Sequence, residues 1–415
     1  MPPKYKPKII NPLLFCAVCA LWRSIAFSTA QLWKRAFVFV PQGIKKGQAK
    51  RKAAYLVRWI EHSGSLPLTL HISCDVDVSL GTGPDAPIVS VLNRYAARWE
   101  TLYHHSIEDH LWPFRMLRAH SQLLFGFAGW HSLREIRSSH LNGALHEPHQ
   151  KILWSQLTDL QICAPISTSR AMDILRECPQ LVRLSIAVSR STEVHASPTI
   201  QHGLVTLGLT TYSCPLVLQS ISLPNLRNLY MSKLSAHFES LLGFLTRSSC
   251  SLDKLVISGT NLTQRDHINL LAHKSCKLLS SLTISDPIWP SDFSIGGELV
   301  RRLTLHQHNS LCARLKVLTI SCWFDIPASA LTNMVESRMG SCAGQLPDEL
   351  LQHLQLWVNV DQAQNLEKVG KRIGVECARH SYHKLLNEFP ISLWRRGFRE
   401  RVPAVLFSGL LLDEM

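Results

Sequence analysis

The sequence predicts an α/β fold built from stacked strand–helix repeats. Three observations point to it. The pattern L-x-x-L-x-(I/L/M) recurs through the middle of the 415-residue chain, with copies beginning at Leu157, Leu181, Leu204, Leu226, Leu252, Leu279, Val300, Leu315 and Leu351, and a degenerate one at Leu133-Ile136. From 133 to 279 the starts are 24, 24, 23, 22, 26 and 27 residues apart. Between copies, apolar residues return at helical spacing, as in Phe238-x-x-Leu241-Leu242-x-x-Leu245.

These spacings place the chain in the leucine-rich-repeat range and predict a solenoid. The last two apolar positions of each copy alternate, so they share one strand face, and the first Leu enters the same core from the turn. One strand–helix unit has too little apolar surface to fold alone; stacked neighbours complete the core. Spacings after 279 are 21, 15 and 36, which predicts a distorted array there.

Taken in order, residues 1–10 are a basic start without structure and 11–40 hold short helices. Residues 41–65 form a basic linker or helix. The solenoid runs over 66–360, and 361–415 are a C-terminal cap or tail. Within the solenoid, Leu68-Thr69-Leu70-His71-Ile72 and the region of Leu102 read as early strands, with a helix over Ile88-x-x-Val91-Leu92-x-x-Tyr95 between them.

Composition narrows the function. Hydrophobic residues are 46% and charged residues 18%, which excludes a disordered chain. The net charge of +14 is uneven: residues 1–62 carry 12 basic side chains against Glu61 alone, whereas the middle of the chain is neutral. A basic arm suits an acidic partner. The longest apolar run, Ile9 to Trp22, is shorter than the ~20 residues a membrane span needs. Its flanks also resemble a signal sequence, which would make the chain a secreted repeat receptor. Pro12 and the continuing helical pattern at Ile25, Phe27, Leu32 and Trp33 favour a helix instead. Cys178, Cys250 and Cys276 recur just ahead of strands, as small buried apolar residues would. That implies a reducing compartment, cytoplasmic or nuclear.

Strand positions between the buried residues face outward. In the repeats they include Gln161, Ser185, Tyr230, Thr283 and Thr304, flanked by Arg183, Lys254 and Arg302. This stripe is small, hydroxyl-rich and nearly uncharged. Nucleic acid would call for rows of Lys and Arg, so a protein substrate fits better. No phosphate-binding loop, nucleophile elbow or zinc motif occurs, and His104-His105 and His306-x-His308 lack acids or cysteines at ligand spacing. The expectation is a binding protein, with no catalytic residues, no metal and no cofactor.

Leu14, Val18, Leu21, Trp22 and Ile25 fall at i, i+4, i+7, i+8 and i+11, one apolar helical face. The string Val18-Cys19-x-x-Trp22-Arg23 followed by Leu32-Trp33 resembles the second half of an F-box. The stretch from Trp59 through Ser63-Gly64 to Leu66-Pro67-Leu68-Thr69-Leu70 resembles the segment that follows the F-box in proteins of mushroom-forming fungi, which also carry degenerate leucine-rich repeats. An F-box opens with Leu-Pro-x-Glu-(Ile/Leu)-Leu, whereas Met1–Ile10 is a Lys/Pro stretch. Leu346-Pro347-Asp348-Glu349-Leu350-Leu351 matches that string only by coincidence.

The resemblance implies docking on a Skp1-type adaptor within a cullin–RING ubiquitin ligase, with Leu14, Val18, Trp22, Leu32 and Trp33 as anchors and the repeats presenting substrate. Skp1-type adaptors are acidic, so the basic arm would speed encounter and salt would slow it. The other reading is a repeat scaffold without a ligase contact, its N-terminal helices acting only as a cap. Neither a nucleic-acid nor a membrane partner is expected.

Overall fold

A computed structural model describes residues 12–41, 43–74, 84–106, 133–138, 154–189, 199–211, 215–232, 238–259, 262–285, 295–305, 310–321, 324–339, 351–359, 365–369, 371, 375–379 and 388–395. The chain divides into two compact units. One comprises residues 1–166 with 173–187, the other 167–172 with 188–415.

The first unit opens with helices α1 (Pro12–Val18) and α2 (Ala20–Ser28). A 3-10 turn, Ala30–Trp33, leads into strand β1 (Arg35–Val40) and helix α3 (Lys46–His62). Strand β2 (Leu68–Cys74), helix α4 (Ala86–Arg94), and strands β3 (Trp99–Ser106), β4 (Glu135–Ser138) and β5 (Asp159–Ile166) follow. The unit boundary runs through helix α5 (Thr168–Glu177), and β6 (Arg183–Val188) is the unit's last strand. Its strands lie parallel in chain order, β1 to β6. The expected early strands are thus present as β2 and β3, with the expected helix between them as α4.

Strand β1 was not foreseen. It lies inside the stretch expected to be helical, and pairs Ala36 with Leu70 and Val38 with Ile72. Helix α3 presents Ala49, Ala53, Leu56, Trp59 and Ile60 to the core. It stops at Gly64, whose φ of +58° is left-handed backbone that a side chain would strain. Arg98 braces that end, donating to the carbonyls of Leu66 and Ile60 and to Ser63 Oγ. Trp99 is fully buried and its indole N–H donates to Leu92 O, tying β3 to α4.

The second unit runs through β7 (Ile200–Gln201), β8 (Thr206–Thr211), α6 (Pro215–Ser220), β9 (Ile221–Ser222), β10 (Asn228–Ser232), α7 (Phe238–Ser248) and β11 (Lys254–Ser258). It continues with α8 (Gln264–Ala272), β12 (Ser281–Ser285), β13 (Ile295–Gly296), α9 (Gly297–Leu303), β14 (Val317–Ser321) and β15 (Phe324–Asp325). Helix α10 (Ala328–Met339) and strands β16 (His353–Asn359), β17 (Val375–Arg379) and β18 (Glu388–Arg395) complete it. Strands β8, β10, β11, β12, β14 and β16 form a parallel ladder in chain order, and β18 joins both β16 and β17 antiparallel. Two short parallel pairs, β7 with β9 and β13 with β15, stand outside this ladder.

The repeat motif has a direct physical basis in both units. In seven copies the two residues after the leading Leu donate their N–H groups to one carbonyl of the preceding repeat. In the second unit Arg227 and Asn228 donate to Val205 O, Asp253 and Lys254 to Arg227 O, Ser280 and Ser281 to Asp253 O, Lys316 and Val317 to Ser280 O, and Gln352 and His353 to Lys316 O. In the first, Thr158 and Asp159 share Arg134 O, and Val182 and Arg183 share Thr158 O. The motif leucines are buried throughout, and Cys178, Cys250 and Cys276 are buried free thiols, as their recurrence implied.

One expected rung is absent. Val300-Leu303-Leu305 belongs to helix α9 and the turn after it, not to a strand. Its apolar spacing satisfies both readings, because Leu299, Val300 and Leu303 face the core from a helix. With that rung removed, the last strand-bearing copies begin at 279, 315 and 351, two equal steps of 36 residues. The carbonyls of Leu303, Leu311 and Cys312 all accept hydrogen bonds from the guanidinium of Arg338 in α10, which is 1% exposed.

Candidate functional site

Two surfaces carry the candidate residues. The first is the N-terminal helix pair. Leu14 (66% exposed) and Val18 lie on α1, and Leu21 (67%), Trp22 (47%) and Ile25 on α2; all five are open to solvent. The sequence suggests one continuous helix here, but Cys19 is extended at φ −159°, ψ 175° and splits it. Arg23 bridges the break: its Nε donates to Cys16 O at 2.9 Å and its backbone N–H to Cys19 O at 3.0 Å. The Phe15 and Trp22 rings stack across it with centroids 5.6 Å apart.

Leu32 and Trp33 do not join this exposed row. Leu32 is half-buried and Trp33 is 2% exposed. The Trp33 indole N–H donates to Ala26 O at 2.7 Å, and its own carbonyl accepts from Trp59 Nε1 at 3.0 Å. The two indoles meet edge to face at 4.9 Å, with Phe27 and His62 against Trp33 on other sides. Trp33 therefore fastens the helix pair to α3, and its side chain is buried here and not presented on the exposed row. The physical reason is its size: a side chain this large gains most by burial with its one donor satisfied.

The second surface is the outward side of the strands. In the first unit Gln161 and Ser185 sit on β5 and β6 but are nearly buried, and Arg183 is exposed and ion-paired with Asp159. That bond to Asp159 raises the Arg183 pKa. In the second unit Tyr230, Lys254 and Thr283 are half-buried on β10, β11 and β12. The Lys254 ammonium lies 5.2 Å from the Tyr230 ring centroid, while Tyr230 is in register with Gly208 and Val256. Hydroxyl contacts run between strands, with Asn228 Nδ2 donating to Thr206 Oγ1 and Ser258 Oγ to Ser232 Oγ.

Arg302 and Thr304 leave this surface, since no strand forms there. Arg302 is helical and ion-paired with Glu298 at 2.9 Å; Thr304 is buried and donates to Val300 O at 3.0 Å.

The structure adds residues that sequence reasoning missed. Phe37, His71, Tyr103, Arg137 and Gln161 occupy one register across β1 to β5. Phe37 stacks on His71 at 4.3 Å and His71 on Tyr103 at 4.4 Å, and the Arg137 guanidinium lies 5.4 Å from the Tyr103 centroid. Glu135 pairs with Arg137 at 2.7 Å, and burial raises the Tyr103 pKa. The signal was the alternation in Arg35–Val40, hidden because its outward residues are phenylalanines that look like core.

Among the described residues no group of three or more His, Cys, Asp or Glu could hold a metal ion, and no helix is long and apolar enough to cross a membrane. No protein-family model and no curated protein matches the chain.

Proposed function

We propose that this chain is a recognition subunit of a cullin–RING ubiquitin ligase, docking a Skp1-type adaptor through α1 and α2 and holding a protein substrate on the strand surface. The observation that supports it most is the exposed apolar row Leu14, Val18, Leu21, Trp22 and Ile25. Five large apolar side chains on two short helices lose hydration free energy as long as they face water, and a partner's groove recovers it. Trp22 is the central anchor, since buried aromatics carry most of the energy in such contacts. Within one unit the outward strand residues Gln161, Arg183 and Ser185 are proposed substrate contacts, and within the other, taken by itself, Tyr230, Lys254 and Thr283 are.

Co-purification of the full chain with a recombinant Skp1-type adaptor and cullin tests this. Trp22→Glu and Leu14→Glu should abolish the complex while leaving far-UV circular dichroism unchanged, because both side chains lie outside the core. A parent chain that binds no adaptor at about 10 μM ends the reading. The second reading, a scaffold without a ligase contact, draws on Trp33, a motif residue spent inside its own cap.

A further inference from the structure

Strand β1 is the first in the order of its sheet, so one of its edges has no strand beside it among the described residues. Its parity is fixed by the register Arg35 to Thr69 and by the Thr69 N–H donating to Lys34 O at 3.0 Å. In a strand the N–H and C=O of one residue point the same way and those of its neighbours the opposite way. Lys34, Ala36, Val38 and Val40 therefore turn their backbone groups to β2, and Arg35, Phe37 and Phe39 turn theirs to the open edge. Only the Phe39 carbonyl finds a partner among the described residues: Lys52 Nζ donates to it at 2.6 Å and lies 5.2 Å from the Phe39 ring centroid.

A cavity of about 610 Å³ follows this edge. Phe37 and Phe39 reach it from the outward side of the strand, and Arg51, Lys52, Tyr55, Leu56 and Trp59 from one face of α3. Phe37, Phe39 and Tyr55 are exposed. Helix α3 carries five basic residues against one acid, Glu61, so the wall of the cavity is positive as well as aromatic.

We propose that the open edge of β1 binds an extended acidic peptide from a partner protein by strand addition. Its main chain pairs with the N–H and C=O of Phe37 and with the N–H of Phe39. A carboxylate on the side facing α3 takes the Lys52 ammonium from the Phe39 carbonyl, freeing that carbonyl for the peptide, and Arg51 adds a second positive charge. An apolar side chain two positions along, on the same side, enters between Tyr55, Leu56 and Trp59. The chemistry argues against two other occupants. The N-terminal arm carries Lys4, Lys6 and Lys8 and repels α3. A second copy pairing edge to edge about a two-fold axis would bring two basic helices together. This site is separate from the exposed row on α1 and α2, and it stands or falls without the ligase reading.

The test uses the full chain and a fluorescein-labelled peptide of roughly nine residues, a typical strand length, with threonine alternating with glutamate and leucine. Fluorescence anisotropy should show saturable binding that weakens at least about tenfold in Lys52→Glu, in Tyr55→Ala, and when the central amides are N-methylated. A peptide with lysine in place of glutamate should not bind. The proposal is overturned by no binding at about 1 mM, by equal binding of the lysine peptide, or by indifference to N-methylation. A dimer seen by sedimentation and lost in Lys52→Glu would assign the edge to a second copy and equally overturn it.

Discussion

Replacing Arg338 by Met removes a guanidinium that is 1% exposed and leaves a stem of similar bulk. Burial has pulled the Arg338 pKa down from the usual arginine range to about 10. That fall corresponds to roughly 3 kcal/mol disfavouring the buried charge, which Met would relieve. Against this, three buried carbonyls at Leu303, Leu311 and Cys312 lose their donor, at about 1–3 kcal/mol each. Over three carbonyls the loss is about 3–9 kcal/mol, so Arg338→Met should destabilise the unit by an amount centred on about 3 kcal/mol, the size expected for breaking a buried charged contact. Arg338→Ala should cost more, because it adds a cavity. The sign of the pH dependence follows from the same shift. The unfolded chain holds the proton more tightly, so this group adds stability only as pH rises above about 10. The deficit of the Met variant should therefore be constant between about pH 6 and 9. Urea unfolding followed by circular dichroism gives the magnitude. Hydrogen exchange by mass spectrometry gives the location, with protection lost first over 297–321. A Met variant within about 0.5 kcal/mol of the parent, its exchange unchanged there, would show that water or rearranged backbone satisfies those carbonyls and that the reasoning is wrong.

Three further outcomes are expected. In the native chain an alkylating reagent should label exposed Cys19 well before buried Cys178, Cys250, Cys276 and Cys312, whose burial also pushes the Cys312 thiol up to about 11; early labelling of Cys276, read by peptide mapping, would contradict the packing. Burial lowers the pKa of His267 below 6.5, so its share of stability is whole above 6.5 and is lost as pH falls towards its folded value. His267→Gln should flatten the slope of urea midpoint against pH below 6.5, and an unchanged slope would reject that assignment. Trp33→Phe should cost about 1 kcal/mol through the lost donor to Ala26 O and raise hydrogen exchange over 12–28; unchanged exchange would mean that other contacts hold the helix pair.

The repeat was legible in the sequence because most L-x-x-L copies do two things at once. Their leucines fill the core and their two middle residues meet a neighbour's carbonyl, so the spacing and the register come from the same four positions. Where apolar spacing alone was available the reading failed, since residues 299, 300 and 303 serve a helix as well as a strand, and only Arg338 beneath them betrays the change. Strand β1 escaped for the opposite reason. Alternation marks a strand when outward residues are polar, and here they are Phe37 and Phe39. The helix pair was half legible: the apolar row was visible, but the same pattern could not tell Trp22, which faces water, from Trp33, which faces Trp59. Side-chain destination depends on tertiary neighbours that no local period encodes.

The shared carbonyl at the start of seven of the strands has a consequence for how such a chain can change. At those L-x-x-L copies alignment is re-established afresh, by two short bonds to the neighbour already in place. An error in one connecting segment is therefore not handed on, and segments of very different length can separate one strand from the next without shifting any of them. New sequence can be inserted between strands at little cost to the wall behind it, so long as those four positions are left alone.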